Sequence, residues 1–217
     1  MLFRSLCQAC LDEFARPRHR CATCALILSQ GAMRCGACLQ RPGLLHECRA
    51  AVSYEFPWTR IIQDFKFESE PALARALGDL MLAQQDIRRM VESASALVPV
   101  PLSPARLCER GYNQAMWLCR ALSVSKTRTD WLNRHGGVAA QHTLKRGDRL
   151  RGVEHVFTAC EGQNKFDGQD LIVLVDDVMT TGATLTAAAK SLIEAGAGKV
   201  SALVLARTEA PTAQGTS

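Results

Sequence analysis

The sequence predicts an α/β fold: a parallel sheet with helices on both faces, preceded by a small cysteine-rich module. Three observations predict it. Leu171–Val175 is five apolar residues in a row, three of them β-branched. A run that short and that apolar suits a parallel strand covered on both faces. A loop of small hydroxyl residues follows, and then a helical pattern with Leu185, Ala188, Ala189 and Leu192 on one face and Gly196 placed to end it. Finally, three Cys-x-x-Cys pairs precede residue 50.

With 217 residues the chain can hold one ordinary domain and a small appendage. Its 47% hydrophobic content supports a real core and argues against global disorder. The net charge of +5 permits anionic ligands or nucleic acid without demanding them. No apolar run reaches membrane-spanning length, and the start does not read as a signal peptide. Grouped cysteines in such a chain point to zinc in a reducing cytosol, so a cytoplasmic location is expected.

The first unit is expected over residues 1–49. Two-residue spacing lets one tight turn present two thiolates to a metal, and two such turns close a tetrahedral site. Cys21 and Cys24 with Cys35 and Cys38 form the best set, and this arrangement resembles a zinc ribbon. Four thiolates leave no open position, so the zinc is structural. Its removal is expected to unfold the ribbon and spare the rest. Cys7 and Cys10 make half a second site. Either His19, His46 or Cys48 completes it, or the true start lies upstream and a partner pair is missing. The unit carries seven Arg against three acidic residues. A basic ribbon could touch nucleic acid, but zinc-bound thiolates offset that charge and Phe3 and Phe14 form no stacking platform.

The second unit is expected over residues 50–208. Ala50–Tyr54 reads as a short strand. Trp58, Ile61, Ile62 and Phe65 share a helical face, and the helix ends at Lys66-Phe67. Lys66 is either a solvated helix end or a cation that reaches an anionic ligand. Pro71 opens another helix, with Leu73, Leu77, Leu80 and Met81 inward. Leu97–Pro101 is the next strand, its prolines marking the exit into a shaped loop. Arg106 and Arg110 follow, and arginine suits bidentate phosphate contacts. Asn113 then caps a helix to Leu122, with Ala115, Leu118, Cys119 and Leu122 inward.

Thr129–Phe157 is Gly-, Arg- and Lys-rich and is expected to be a mobile excursion. Arg106–Arg151 holds ten Lys or Arg against three acids, a basic hood that could close over an anion and exclude water. Val200–Ala206 is the closing strand, with Arg207 at its end. Residues 209–217 read as a disordered tail. Cys108, Cys119 and Cys160 are singles, expected to be core or neutral surface.

The loop after Leu171–Val175 carries the chemistry. The first N–H groups of a helix lack partners, and the helix dipole there favours negative charge. Thr180, Thr181 and Thr184 add hydroxyl donors, and Gly182 removes a Cβ that would hold a phosphate off the backbone. Open α/β sheets bind ligands in this place. Asp176 and Asp177 would repel a phosphate, so they need another partner: vicinal ribose hydroxyls or Mg²⁺. The inferred ligand is a sugar phosphate.

Val-Asp-Asp-Val-Met-Thr-Thr-Gly-Ala-Thr resembles the phosphoribosyl-pyrophosphate (PRPP) signature of type I phosphoribosyltransferases. The resemblance implies that Asp176 and Asp177 bind the ribose hydroxyls, that Thr180, Thr181, Gly182, Ala183 and Thr184 hold the 5′-phosphate, and that Mg²⁺ accompanies PRPP. Together with Val-Pro-Val-Pro, Arg-Gly-Tyr-Asn-Gln and the cysteine ribbon, in that setting, the chain is similar nearly throughout to the ComF family. Those proteins are linked to competence and the uptake or use of DNA. The resemblance makes Lys66, Arg106, Arg110, Arg134, Gln141 and Arg149 the pyrophosphate and hood candidates. The chain departs from the family pattern at Val138, at Gly152 and at Gly136-Gly137. The implied function is PRPP binding and phosphoribosyl transfer to an unidentified acceptor. The alternatives are a non-enzymatic module sensing PRPP or a nucleotide through partners, and a DNA-binding zinc protein.

Overall fold

The computed structural model describes residues 6–67, 71–135, 156–160, 166 and 168–209. Gln141, Arg149, Val138, Gly152, the Gly136-Gly137 pair and residues 210–217 lie outside the described residues.

The chain begins with helix α1 (Gln8–Phe14), whose first turn Cys7 caps, and α2 (Gly36–Gln40), which Cys35 precedes. Strand β1 (Cys48–Ser53) opens the sheet, starting at Cys48 rather than Ala50. Three helices follow: α3 (Trp58–Phe67), α4 (Pro71–Ala83) and α5 (Gln85–Ser93), the last not expected from the sequence. Its apolar residues Ile87, Met90 and Val91 lie inward although the segment is polar on average. Strand β2 (Ala96–Pro99) leads to α6 (Pro104–Arg110) and α7 (Gln114–Leu122). The loop expected around Arg106 is therefore a helix, with Ser103 as its cap and Pro104 in its first turn.

Strands β3 (Leu132–Arg134) and β4 (Phe157–Ala159) pair antiparallel. This corrects the excursion expected over Thr129–Phe157 at both of its ends. Leu132 and Phe157 are buried, and that apolar anchoring orders the two edges. Strand β5 (Leu171–Met179), helix α8 (Ala183–Glu194) and strand β6 (Lys199–Arg207) complete the fold.

The main sheet has the order β1-β6-β5-β2, with every pairing parallel. Both faces are covered, and the side-chain alternation of the two central strands sorts residues between two cores. Val173, Val175, Leu203 and Leu205 face the core built with Ile62, Leu77 and Leu118 of α3, α4 and α7. Ile172, Leu174, Ala202 and Val204 face the other core, with Leu185, Ala188 and Leu192 of α8 and with Leu132 and Phe157. Gly78 lets α4 approach α7 closely: a Cβ there would lie 2.6 Å from that of Ala121.

The cysteine-rich segment is packed on the second of these cores. Ala25 and Leu45 are buried with Cys48, Ala50 and Ala202. The Cys48 N–H donates to Ala22 O at 2.7 Å, and the Ala202 N–H donates to Glu47 O at 2.9 Å. Glu209, expected in the disordered tail, is instead held: Arg20 lies 2.7 Å from its carboxylate and the Ile27 N–H donates to it at 3.0 Å. An ion pair and a backbone donor together fix a residue that composition alone would leave loose.

Candidate functional site

Pairing of β5 with β2 stops at Val175, whereas pairing with β6 continues to Met179. Asp176 and Asp177 therefore lie within β5 and not beyond its end, on the stretch where the sheet opens on one side. The Asp177 N–H donates to Asp176 Oδ1 at 2.8 Å, and the Val178 N–H donates to Asp177 Oδ1 at 2.6 Å.

The two acids have different company. Lys66 Nζ lies 3.2 Å from Asp177 Oδ2, with both side chains mostly buried. Lys66 is thus not a solvated helix end. Among the described residues, Asp176 has no such close cation. Burial, and then the charge of Asp177, raise its carboxyl to about 8, against the pull of the Asp177 N–H, Lys66 and Arg134. Lys66 thus supplies a partner for Asp177, and the raised carboxyl of Asp176 holds its proton near neutral pH.

Beyond Met179 the chain turns at Thr180–Gly182 into α8. Gly182 takes φ +81°, a left-handed conformation, and a Cβ there would lie 2.5 Å from Met179 Cε. Backbone conformation and Met179 both exclude a Cβ at this position. The Ala183 N–H donates to Thr181 Oγ1 at 3.3 Å. Thr180, Thr181, Ala183 and Thr184 are exposed at the start of α8, offering hydroxyls and helix N–H groups to an anion.

The Arg-Gly-Tyr-Asn-Gln segment has a role that its arginine did not announce. Tyr112 Oη donates to Phe65 O, and Gln114 Nε2 donates to Lys66 O at 3.2 Å. Asn113 caps α7 through the Ala115 N–H and also donates to Val100 O at 3.0 Å. Three successive residues tie the end of α3, the exit of β2 and the start of α7 together, and so hold Lys66 against Asp177. Hydrogen-bonding side chains on a tight turn were the available signal. Arg110 donates to Gln114 Oε1 at 3.1 Å and lies over the Phe67 ring at 5.9 Å. Arg134 lies over the Phe157 ring at 5.3 Å and lowers the Asp176 carboxyl by its charge. Arg106 is exposed on α6.

The four cysteines of the ribbon meet. The sulfurs of Cys21, Cys24, Cys35 and Cys38 all lie within 4.8 Å of one another, with Cys24 and Cys35 3.7 Å apart. Thiolates placed tetrahedrally at about 2.3 Å from a zinc ion would be separated by about 3.8 Å, so the set fits such a metal. The Cys35 N–H donates to Cys21 Sγ at 3.3 Å, the kind of support a metal-bound thiolate needs. At Cys21, burial opposes ionisation, yet backbone donors from Cys35, Thr23 and Cys24 bring the thiol down to about 6. Burial pushes Cys24 up to about 11 and Cys38 further. Ala25 completes the first turn with φ +57°. Cys7 and Cys10 are exposed on α1, and no third ligand joins them among the described residues. His19 instead contacts Ala32 O at 2.6 Å, and Cys48 is buried beside Met179.

Among the described residues no helix is long and apolar enough to cross a membrane. No protein-family model matches the chain. It is 31% identical to competence protein F of Haemophilus influenzae over 93% of this chain and 90% of that protein. It is 29% identical to the DNA utilization protein YhgH of Escherichia coli K12 over 94% of this chain and 90% of that protein. A solved structure of the allosteric regulatory enzyme of purine biosynthesis matches 65% of this chain and 29% of that chain, with a TM-score of 0.43 and 18% identity.

Proposed function

Since this chain belongs to the ComF family of competence and DNA-utilisation proteins, we propose that the turn between β5 and α8 binds the ribose 5-phosphate half of PRPP. The observation that carries the reading is the pairing of an acid-bearing strand, opened on one side, with an exposed Thr-Gly turn at the start of a helix. Asp176 and Asp177 accept hydrogen bonds from the 2′- and 3′-hydroxyls. Thr180, Thr181 and Thr184, with the first N–H groups of α8, receive the 5′-phosphate. Gly182 keeps that turn in its left-handed form. The acid pair also fits a Mg²⁺ ion bound with the sugar, which would screen the charge of the pyrophosphate.

The chemistry this arrangement supports is transfer of the phosphoribosyl group. The bond from ribose C1′ to the pyrophosphate oxygen breaks, and its electron pair leaves with pyrophosphate. A nitrogen nucleophile forms the new bond to C1′ and gives its proton to solvent. Positive charge develops on the ribose, so catalysis is positioning together with neutralisation of the leaving group. Arg110 and Arg134 are the described cations for that group, with Arg106 exposed further out on α6. Lys66 is held to Asp177 and serves first to balance the acid pair. The ribbon is a structural zinc site. For the whole protein, the family relationship supports a role in competence or in the use of external DNA.

Calorimetric titration with PRPP, with and without Mg²⁺, tests the reading. Binding is expected for the wild type and is expected to vanish in the double variant Asp176→Asn, Asp177→Asn, whose circular dichroism should match the wild type. Equal affinity in the two proteins would refute the assignment of the acids. A panel of nitrogenous acceptors, assayed for pyrophosphate release, then separates a transferase from a sensor.

A further inference from the structure

Arg207 occupies an unusual position for a charged side chain. It ends β6, is 5% exposed, and among the described residues its hydrogen-bond partners are all main-chain carbonyls of three separate segments. Its Nε donates to Cys24 O at 2.8 Å, inside the first metal turn. One of its terminal nitrogens donates to Met179 O at 3.1 Å and to Thr180 O, the two residues that open the turn into α8. The same nitrogen also meets Thr208 O, and since it carries two N–H groups one of them is shared between two carbonyls. A planar guanidinium with donors fixed in a fork holds such carbonyls in one relative arrangement, which a lysine ammonium would not.

The neighbouring contacts tie the same metal turn down from its other side. Arg20 donates to Ala25 O at 2.8 Å and to Glu209 at 2.7 Å, and the Ile27 N–H donates to Glu209 at 3.0 Å. Ala25, the residue after Cys24, is fully buried in the core that contains Met179. The position of the Cys24 carbonyl therefore depends on the turn that the metal closes, and the entry to the Thr-Gly turn depends on a guanidinium bound to that carbonyl.

We propose that Arg207 is a positioning residue through which metal binding at Cys21, Cys24, Cys35 and Cys38 sets the geometry of the Met179–Gly182 turn. The ribbon is then a support for the ligand-binding turn. The proposal rests on the metal reading of the four cysteines and is independent of which ligand the turn takes.

Hydrogen exchange on the full chain tests it, with zinc content measured on the same sample. The reporters are the amides of Thr208, bonded to Met179 O at 3.0 Å, and of Thr186, bonded to Gly182 O at 2.9 Å. Chelation is expected to speed exchange at both by at least about tenfold and to leave α4 and β2 protected. In Arg207→Gln both amides are expected to exchange fast already, with no further change on chelation. Arg207→Lys should resemble Arg207→Gln if the fork geometry matters. Unchanged exchange at Thr186 and Thr208 in chelated wild type would overturn the proposal, even if the Arg207 variants fail to fold. So would loss of protection throughout α4 and β2, since the metal would then support the whole domain. A purified chain without metal would remove the premise itself and be recognised from the zinc measurement.

Discussion

Asp176 and Asp177 are adjacent in the chain, yet one has a lysine at 3.2 Å and the other is left with a carboxyl raised to about 8. The sign of the consequence follows from the direction of that shift. Because the folded chain holds the Asp176 proton more tightly than the unfolded chain, this group favours folding at low pH. Its contribution is lost as pH rises from about 4, the ordinary carboxyl range, to about 8. The melting temperature of Asp176→Asn is expected to lack this decline, so the wild-type curve should fall away from the variant curve as pH increases towards 8. Parallel melting curves across that range would show that the carboxyl is not raised. The same proton should be released when ribose hydroxyls bind, which makes the binding enthalpy depend on the ionisation enthalpy of the buffer below pH 8.

At the scale of elements, the placement of Lys66 depends on α7 as much as on α3. Tyr112 and Gln114 hold the last carbonyls of α3, and Asn113 holds the exit of β2. Removing the hydroxyl in Tyr112→Phe leaves Phe65 O without this donor and should cost about 1 kcal/mol in stability. It should also weaken binding of PRPP, since the end of α3 no longer fixes Lys66 beside the acids. Urea denaturation and calorimetry on the same variant check both parts. Much of this layer was legible in sequence. The Trp58–Phe67 helix, the Asn113 cap and the inward face of α8 follow from spacing and residue type. Helix α5 did not announce itself because its segment is polar on average and its burial is decided by neighbours, whereas α6 was missed although Ser103 and Pro104 are helix-start signals.

For the molecule as a whole, the ribbon and the sheet share one core. Ala25, Leu45 and Cys48 are buried together with strand residues, and Phe14 and Leu11 pack against the opposite core. Trp58 Nε1 also donates to Phe14 O at 2.8 Å. The sequence suggested that metal removal would spare everything after residue 49; these contacts predict that its effect reaches the strand ends the ribbon touches, while α4 and β2 stay folded. The zinc-loaded chain is expected to unfold in urea in a single transition. Fluorescence of Trp58 in one core and Trp131 in the other, and release of zinc to a coloured chelator, should share a midpoint. Zinc release well ahead of the fluorescence change would mean that the ribbon unfolds on its own.

The sequence by itself determined the parallel strand, the acids, the Thr-Gly turn, the helix after it and the four-cysteine set, because each is encoded by residues close together in the chain. Those signals rest on period, spacing and side-chain chemistry, which act locally. Only the tertiary structure decided that Lys66 meets Asp177, that Tyr112 and Gln114 hold the end of α3, and that Arg207 joins the Cys24 turn to Met179 and Thr180. Each of those contacts links groups far apart in sequence. No local pattern specifies them; they arise when the order β1-β6-β5-β2 brings the ends of separate strands side by side.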